Sequence, residues 1–271
     1  MTRASFARIR ALAGKEVADL RASKGVLLGP IAMLLTAVLM PLALAVGVPA
    51  WSGEPLDDTA DLVQLARQFQ VPGAGGLTDA ALVQSLLLHQ FLPLMALVPV
   101  VGAMTLVTTA IVGEKQARTL EPLLATPLTT AELLVAKTGT AFALALVLLA
   151  LGVVLLVAGA ALTAEPGVAA TLVTGRVLAL VGGVAPAASL VALTLGAIVS
   201  TRAKDARAAQ QAGVVVVLPI VGAFVAQLNG QTAFSTLDLL LATAVLLGLA
   251  LVLGRVAVHV FDRERILTQW T

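Results

Sequence analysis

The stretch Ile111-Val-Gly-Glu-Lys-Gln-Ala-Arg-Thr-Leu-Glu-Pro-Leu-Leu-Ala-Thr-Pro-Leu-Thr-Thr-Ala-Glu-Leu-Leu-Val-Ala-Lys137 decides how this chain is organised. It lies between two long apolar runs and gathers Glu114, Lys115, Arg118 and Glu121. An acidic or basic side chain costs about 2.5–3.5 kcal/mol at the centre of a membrane helix. The chain must therefore leave hydrocarbon here and re-enter it afterwards. Pro122 suits the first turn of a helix, where its missing N–H costs nothing. Pro127 limits that helix to little more than one turn. Thr129 stands three residues before Glu132, a capping-box spacing just ahead of Leu133-Leu134-Val135, and so marks the start of the next helix. The result is a charged helix end, a short apolar helix presenting Leu120, Leu123 and Leu124, a proline break and a capped re-entry. Those leucines have two uses: lying against the lipid interface, or filling a groove on a soluble partner. Periodicity does not choose between them.

Working outward, six long runs are free of Asp, Glu, Lys and Arg: Gly25 to Gly53, Ala80 to Gly113, Thr138 to Ala164, Val177 to Thr201, Ala208 to Leu237 and Leu239 to Gly254. A membrane helix needs about 20 apolar residues, and the first four runs exceed that. The fifth is strongly apolar only over Ala212 to Ala226. The sixth extends past Arg255, whose side chain snorkels to the interface. Six spans are expected, at 25–48, 84–112, 133–163, 177–200, 206–227 and 237–260; five spans with a re-entrant segment is the rival count. The remainder divides into an N-terminal segment 1–24, an outer loop 49–83 and a cytoplasmic loop 113–132. The whole chain, 1–271, is then one all-α polytopic membrane domain.

Composition agrees. Of 271 residues, 59% are hydrophobic and 12% charged, and the mean hydropathy is +1.01. A soluble domain carries about 25% charge, so a water-soluble enzyme is excluded. The absence of cysteine excludes disulfide scaffolds and thiolate chemistry. Of the 17 lysines and arginines, 15 fall on one side of the expected topology, leaving Arg67 and Arg176 outside. The outer loop instead carries Glu54, Asp57, Asp58, Asp61 and Asp79. Basic loops face the cytoplasm, which places both termini there. The first span is too long for a signal-peptide core and is expected to remain.

Phe6, Ile9, Ala13, Val17 and Leu20 recur at helical spacing, with the basic residues largely off that stripe. Such a helix lies in the cytoplasmic interface; the plainer reading is a basic tail that only sets topology. In the outer loop, Thr59 to Gln70 reads as a short amphipathic helix broken by Pro72-Gly73-Ala74-Gly75-Gly76. Gly25 and Gly29 form a G-x-x-x-G spacing suited to close helix packing. His89, Glu165, Arg176, Asp238 and Arg255 read as interfacial or span-end polar groups.

Gly113-Glu114-Lys115, Thr119-Leu120-Glu121-Pro122-Leu123-Leu124, Thr126-Pro127 and Glu132-Leu133-Leu134 with Lys137 resemble the signature of the type-2 ABC transporter permeases, the membrane subunits of ATP-driven exporters. The Lys15-Glu16 opening, the six spans and Arg263-Glu264-Arg265-Ile266-Leu267 extend the likeness along the chain. The resemblance implies an interfacial connecting helix at Phe6, Ile9, Val17 and Leu20. It implies a coupling helix that docks on an ATPase subunit, carried by Leu120, Glu121, Leu123, Leu124, Thr126 and Pro127, with Glu114 at the end of span two. It also implies a dimer with a second permease copy or paralogue, lipid contact, a prokaryotic plasma membrane and no nucleic acid. Many relatives carry re-entrant helices between spans five and six, for which Gln227 to Thr236 leaves little room. The chain has no phosphate-cradling loop: Gly14-Lys15-Glu16 lacks both the earlier glycine and the following Ser/Thr. ATP and Mg are therefore expected on a separate polypeptide, with no cofactor, metal or catalytic residue here. A secondary transporter would bury ionisable groups in its spans, and a non-transporting membrane anchor or assembly subunit is the other alternative.

Overall fold

The computed structural model describes residues 3–22, 24–53, 60–69, 71–117, 129–201, 203, 205–211, 213–228 and 234–260. Among these residues there is no strand, and six helical stretches are long and apolar enough to cross a membrane. Helix α1 (Arg3–Ala22) leads through a 3-10 turn into span 1, Gly25–Ser52. That span is built from α2 (Leu28–Leu42), a π-turn at Ala43–Gly47 and α3 (Val48–Ser52). The short α4 (Ala60–Gln68) follows, as the amphipathic pattern of the outer loop anticipates. Span 2 is a single helix, α5 (Asp79–Gln116), and span 3 is α6 (Thr130–Thr163). After α7 (Val168–Thr171), span 4 comprises α8 (Gly175–Ala179), a π-turn at Leu180–Val184 and α9 (Ala185–Ser200). Helices α10 (Ala206–Gln211) and α11 (Val214–Leu228) supply span 5, and α12 (Thr236–Val260) is span 6.

Span 2 is the axis of the bundle. Its 38 residues extend for about 57 Å at 1.5 Å per residue, well beyond the roughly 30 Å of hydrocarbon. The helix therefore continues past its apolar run at both ends, and Glu114 and Lys115 lie on its last turn rather than in a loop. Of its apolar window 78% is buried inside the bundle, against 11% for span 6. Spans 1, 3, 4 and 5 pack directly on span 2, while span 6 packs on span 4.

The closest helix approaches are at small residues. A Cβ on Gly159 of span 3 would stand 2.5 Å from a Leu42 methyl of span 1. One on Gly196 of span 4 would stand 2.7 Å from Val107 and 2.8 Å from the Met104 sulfur of span 2. Gly183, in the π-turn, meets Thr243 of span 6 in the same way. Small residues let helix backbones approach where lipid supplies no competing hydrophobic drive. The G-x-x-x-G pair does not act so within the chain: a Cβ added at Gly25 or at Gly29 would have no neighbour within 4 Å.

Candidate transport cavity and coupling end

At the end of the bundle where Lys115 and Lys137 lie, buried charge joins α1 to both flanks of the central loop. The Lys137 ammonium donates to Glu16 Oε1 at 2.6 Å and to the Ala110 carbonyl at 3.1 Å, and lies 2.9 Å from Glu114 Oε2. Only 1% of its side chain is exposed. Glu114 Oε1 in turn accepts from Lys15 at 2.7 Å. Two ammoniums and two carboxylates thus balance, which a desolvated cluster requires because an unpaired buried charge is strongly destabilising. Against the cost of burial, the hydrogen bond and charge of Glu114 hold the Lys15 ammonium above its usual range, helped by Asp19 and Glu16.

The far flank is tied in parallel. Thr129 and Glu132 form the full capping box that their spacing anticipates, and the remaining Glu132 oxygen accepts from Arg8 Nη2 at 2.7 Å. Lys115 donates to the Thr201 and Ala203 carbonyls, 3.1 Å each, joining span 2 to the connection between spans 4 and 5. One helix therefore holds both ends of the loop, through Lys15 on the span 2 side and through Arg8 and Glu16 on the span 3 side.

Of the residues assigned from the sequence, Glu114 sits in the middle of this cluster. Leu120, Glu121, Leu123, Leu124, Thr126 and Pro127 lie outside the described residues, as do residues 229–233. In α1, Ile9 and Leu20 pack partly against the core together with buried Leu12. Val17 points outward at 41% exposure, and the Phe6 side chain falls outside the described residues. The inner face of α1 thus runs through Leu12 and Glu16. Sequence reasoning missed Arg8, Glu16 and Lys137 as one set; the signal available was that each breaks an otherwise apolar or basic pattern near the same bundle end.

Toward the opposite end, a cavity of about 490 Å³ lies between spans 2, 4, 5 and 6. Its walls are aliphatic, including Leu92, Ala96, Val184, Ala188, Val191, Ile220, Ala242 and Leu246. Pro93 of span 2, the π-turn of span 4 and Pro219 of span 5 all border it, so three of its four helical walls are locally irregular. Proline removes an intrahelical hydrogen bond and kinks its helix. His89, Arg176 and Asp238 are its charged or titratable lining groups. Read separately as span-end groups, they share one cavity here. The His89 ring faces its own helix, with Nδ1 2.9 Å from the Ser85 carbonyl, and Ser235 caps the Asp238 carboxylate through its N–H and hydroxyl. Among the described residues, no group of three His, Asp or Glu stands ready to hold a metal ion.

Comparison with curated proteins finds no match. The family model described as ABC-2 family transporter protein matches residues 10–244, from α1 into span 6. Six membrane-length helices, one of them a buried central span, an apolar cavity among them and a match over most of the chain agree. The chain belongs to the ABC-2 transporter family, as a multi-pass membrane permease subunit and not the ATPase.

Proposed function

We propose that this permease is half of an ATP-driven exporter, paired with a second copy or paralogue and with two separate cytoplasmic ATPase subunits. The Lys115–Lys137 end then faces the cytoplasm with both termini, in a prokaryotic plasma membrane, and α1 lies in the lipid interface with Val17 toward it. Leu120 to Pro127 carry the coupling role, with Leu123 and Leu124 in a groove on the ATPase and Leu120, Glu121, Thr126 and Pro127 shaping its approach. ATP and Mg, held by the partner, supply the energy of closure. This chain's part is to receive the push on the loop and pass it to the bundle.

The observation that carries this reading is the pairing of α1 with both flanks of the loop. A push on residues between Ala117 and Thr129 reaches span 2 through Glu114, span 3 through Lys137 and Glu132, and α1 through all three. These elements move together instead of the loop yielding alone. Spans 2 and 4 also border the cavity, so displacement of span 2 alters its walls.

Leu124→Arg tests the docking role. An unpaired charge in a desolvated contact costs several kcal/mol, and about 1.4 kcal/mol is already tenfold in binding. The variant is expected to insert and dimerise but to retain little ATPase on purification. Leu39→Met, on the exposed side of span 1, leaves the complex intact. Full recovery of complex with normal substrate-stimulated hydrolysis by Leu124→Arg refutes the docking role; that outcome fits leucines lying in lipid.

A further inference from the structure

We infer that the cavity between spans 2, 4, 5 and 6 binds a single acyl chain of an anionic amphiphile, with Arg176 holding its phosphate or carboxylate headgroup. Along span 6 the lining runs from Asp238 to Leu249 and along span 4 from Arg176 to Leu195, eleven and nineteen residue steps or about 16 and 28 Å at 1.5 Å per residue. One leaflet of a bilayer is about half of the roughly 30 Å hydrocarbon. The cavity is therefore at least as deep as one leaflet and lies within the usual size range of ligand sites, roughly 300–1,000 Å³. Its polarity is arranged to match. Arg176 and Asp238 lie where spans 4 and 6 begin, with His89 beside them on span 2. Leu195 and Leu249 lie far down the same walls.

Arg176 is the group that selects the headgroup. Among the described residues it has no hydrogen bond or ion pair, although it sits half-buried at the charged end of an aliphatic cavity. Asp238 does not neutralise it as an ion-pair partner; its carboxylate is engaged by Ser235 at the start of its own helix. An unpaired guanidinium offers five donors in a fork that matches a phosphate or carboxylate. A neutral lipid leaves that fork unfilled. An acyl chain also fits the absence of polar groups deeper in the cavity better than a peptide, whose amides would be unpaired there.

The inference deepens the transport reading and rests on it only for the fate of the ligand, because binding is measured without the ATPase. The full chain, in nanodiscs of zwitterionic lipid, is labelled with lysophosphatidic acid carrying a photoreactive group at its chain terminus. Crosslinks are expected near Leu195 and Leu249. Unlabelled lysophosphatidic acid displaces the probe, whereas the monoacylglycerol of the same chain competes about tenfold less well, the scale of one charged hydrogen-bonding group. Arg176→Gln removes that difference and Arg176→Lys keeps part of it. Ala242→Trp, which fills the cavity, abolishes the crosslinks while the elution profile of each variant reports folding. Equal competition by the neutral lipid, labelling unchanged in Arg176→Gln, or crosslinks outside the cavity overturns the inference. In the complete complex, loss of label on adding ATP identifies a transported amphiphile, and retention identifies a resident membrane lipid; both outcomes support the site. A failed Leu124→Arg experiment with intact labelling overturns the coupling reading and leaves this one standing.

Discussion

Removing the Lys137 ammonium leaves Glu16 and Glu114 in the interior with only Lys15 to balance them. Breaking a buried pair in this way typically costs about 3–5 kcal/mol. Lys137→Met is therefore expected to lower the thermal unfolding midpoint in detergent markedly. Glu16→Gln combined with Lys137→Met restores neutrality, because Glu114 and Lys15 still pair, and recovers much of the loss. A double variant no more stable than Lys137→Met shows that the cluster is not charge-balanced in solution. Arg67→Ala serves as the comparison: its bridge to Asp79 is on the surface, where such pairs contribute little, and the midpoint stays put. Little of this is readable from the sequence. A lysine just past Leu133 and Leu134 reads equally as a snorkelling span-end group, and its main partner lies 121 positions away. Local periodicity has no access to a pairing made only by folding.

Helix α1 teaches the same lesson one level up. Counting apolar residues places its stripe through Phe6, Ile9, Ala13, Val17 and Leu20; Ile9 and Leu20 do pack on the core, but between them the packed face runs through Leu12 and Glu16. A hydrophobicity rule scores a glutamate as outward, and here its lysine partner takes it inward. Span-to-span packing is legible only in part. Gly25 and Gly29 have the familiar spacing, yet the close approaches are at Gly159, Gly183 and Gly196, because contact depends on which faces meet. Two of these sites make a graded test. At Gly196 a new methyl meets Val107, β-branched and stiff at χ1, and Met104 together. At Gly159 it meets the free end of Leu42 alone, which can swing away. Gly196→Ala is expected to destabilise by about 1–3 kcal/mol through overpacking. Gly159→Ala stays near neutral, since alanine also favours helix by about 1 kcal/mol. Thermal unfolding of the two variants checks the order; Gly159→Ala as the more damaging change contradicts this packing.

For the molecule as a whole, six spans are readable because the apolar runs approach or exceed the bilayer thickness, a requirement independent of packing. The capping box at Thr129 is equally plain, being written within four residues. The cavity is not, since it exists only between helices. The proposed orientation has a direct check: a reporter fused after Thr271 and one inserted near Gly53 should report opposite faces of the membrane, and same-side labelling excludes it. The contrast between a central span 78% buried and an outer one 11% buried also governs how freely each stretch of sequence drifts. Span 6 is read mainly by oil, which registers greasiness and ignores shape, so Leu, Val, Ile and Phe are near synonyms over much of its length. Span 2 is read by four neighbours at once, and there each methyl group is spelled by its fit. Randomised libraries of the two helices should therefore return many functional spellings of the first and few of the second.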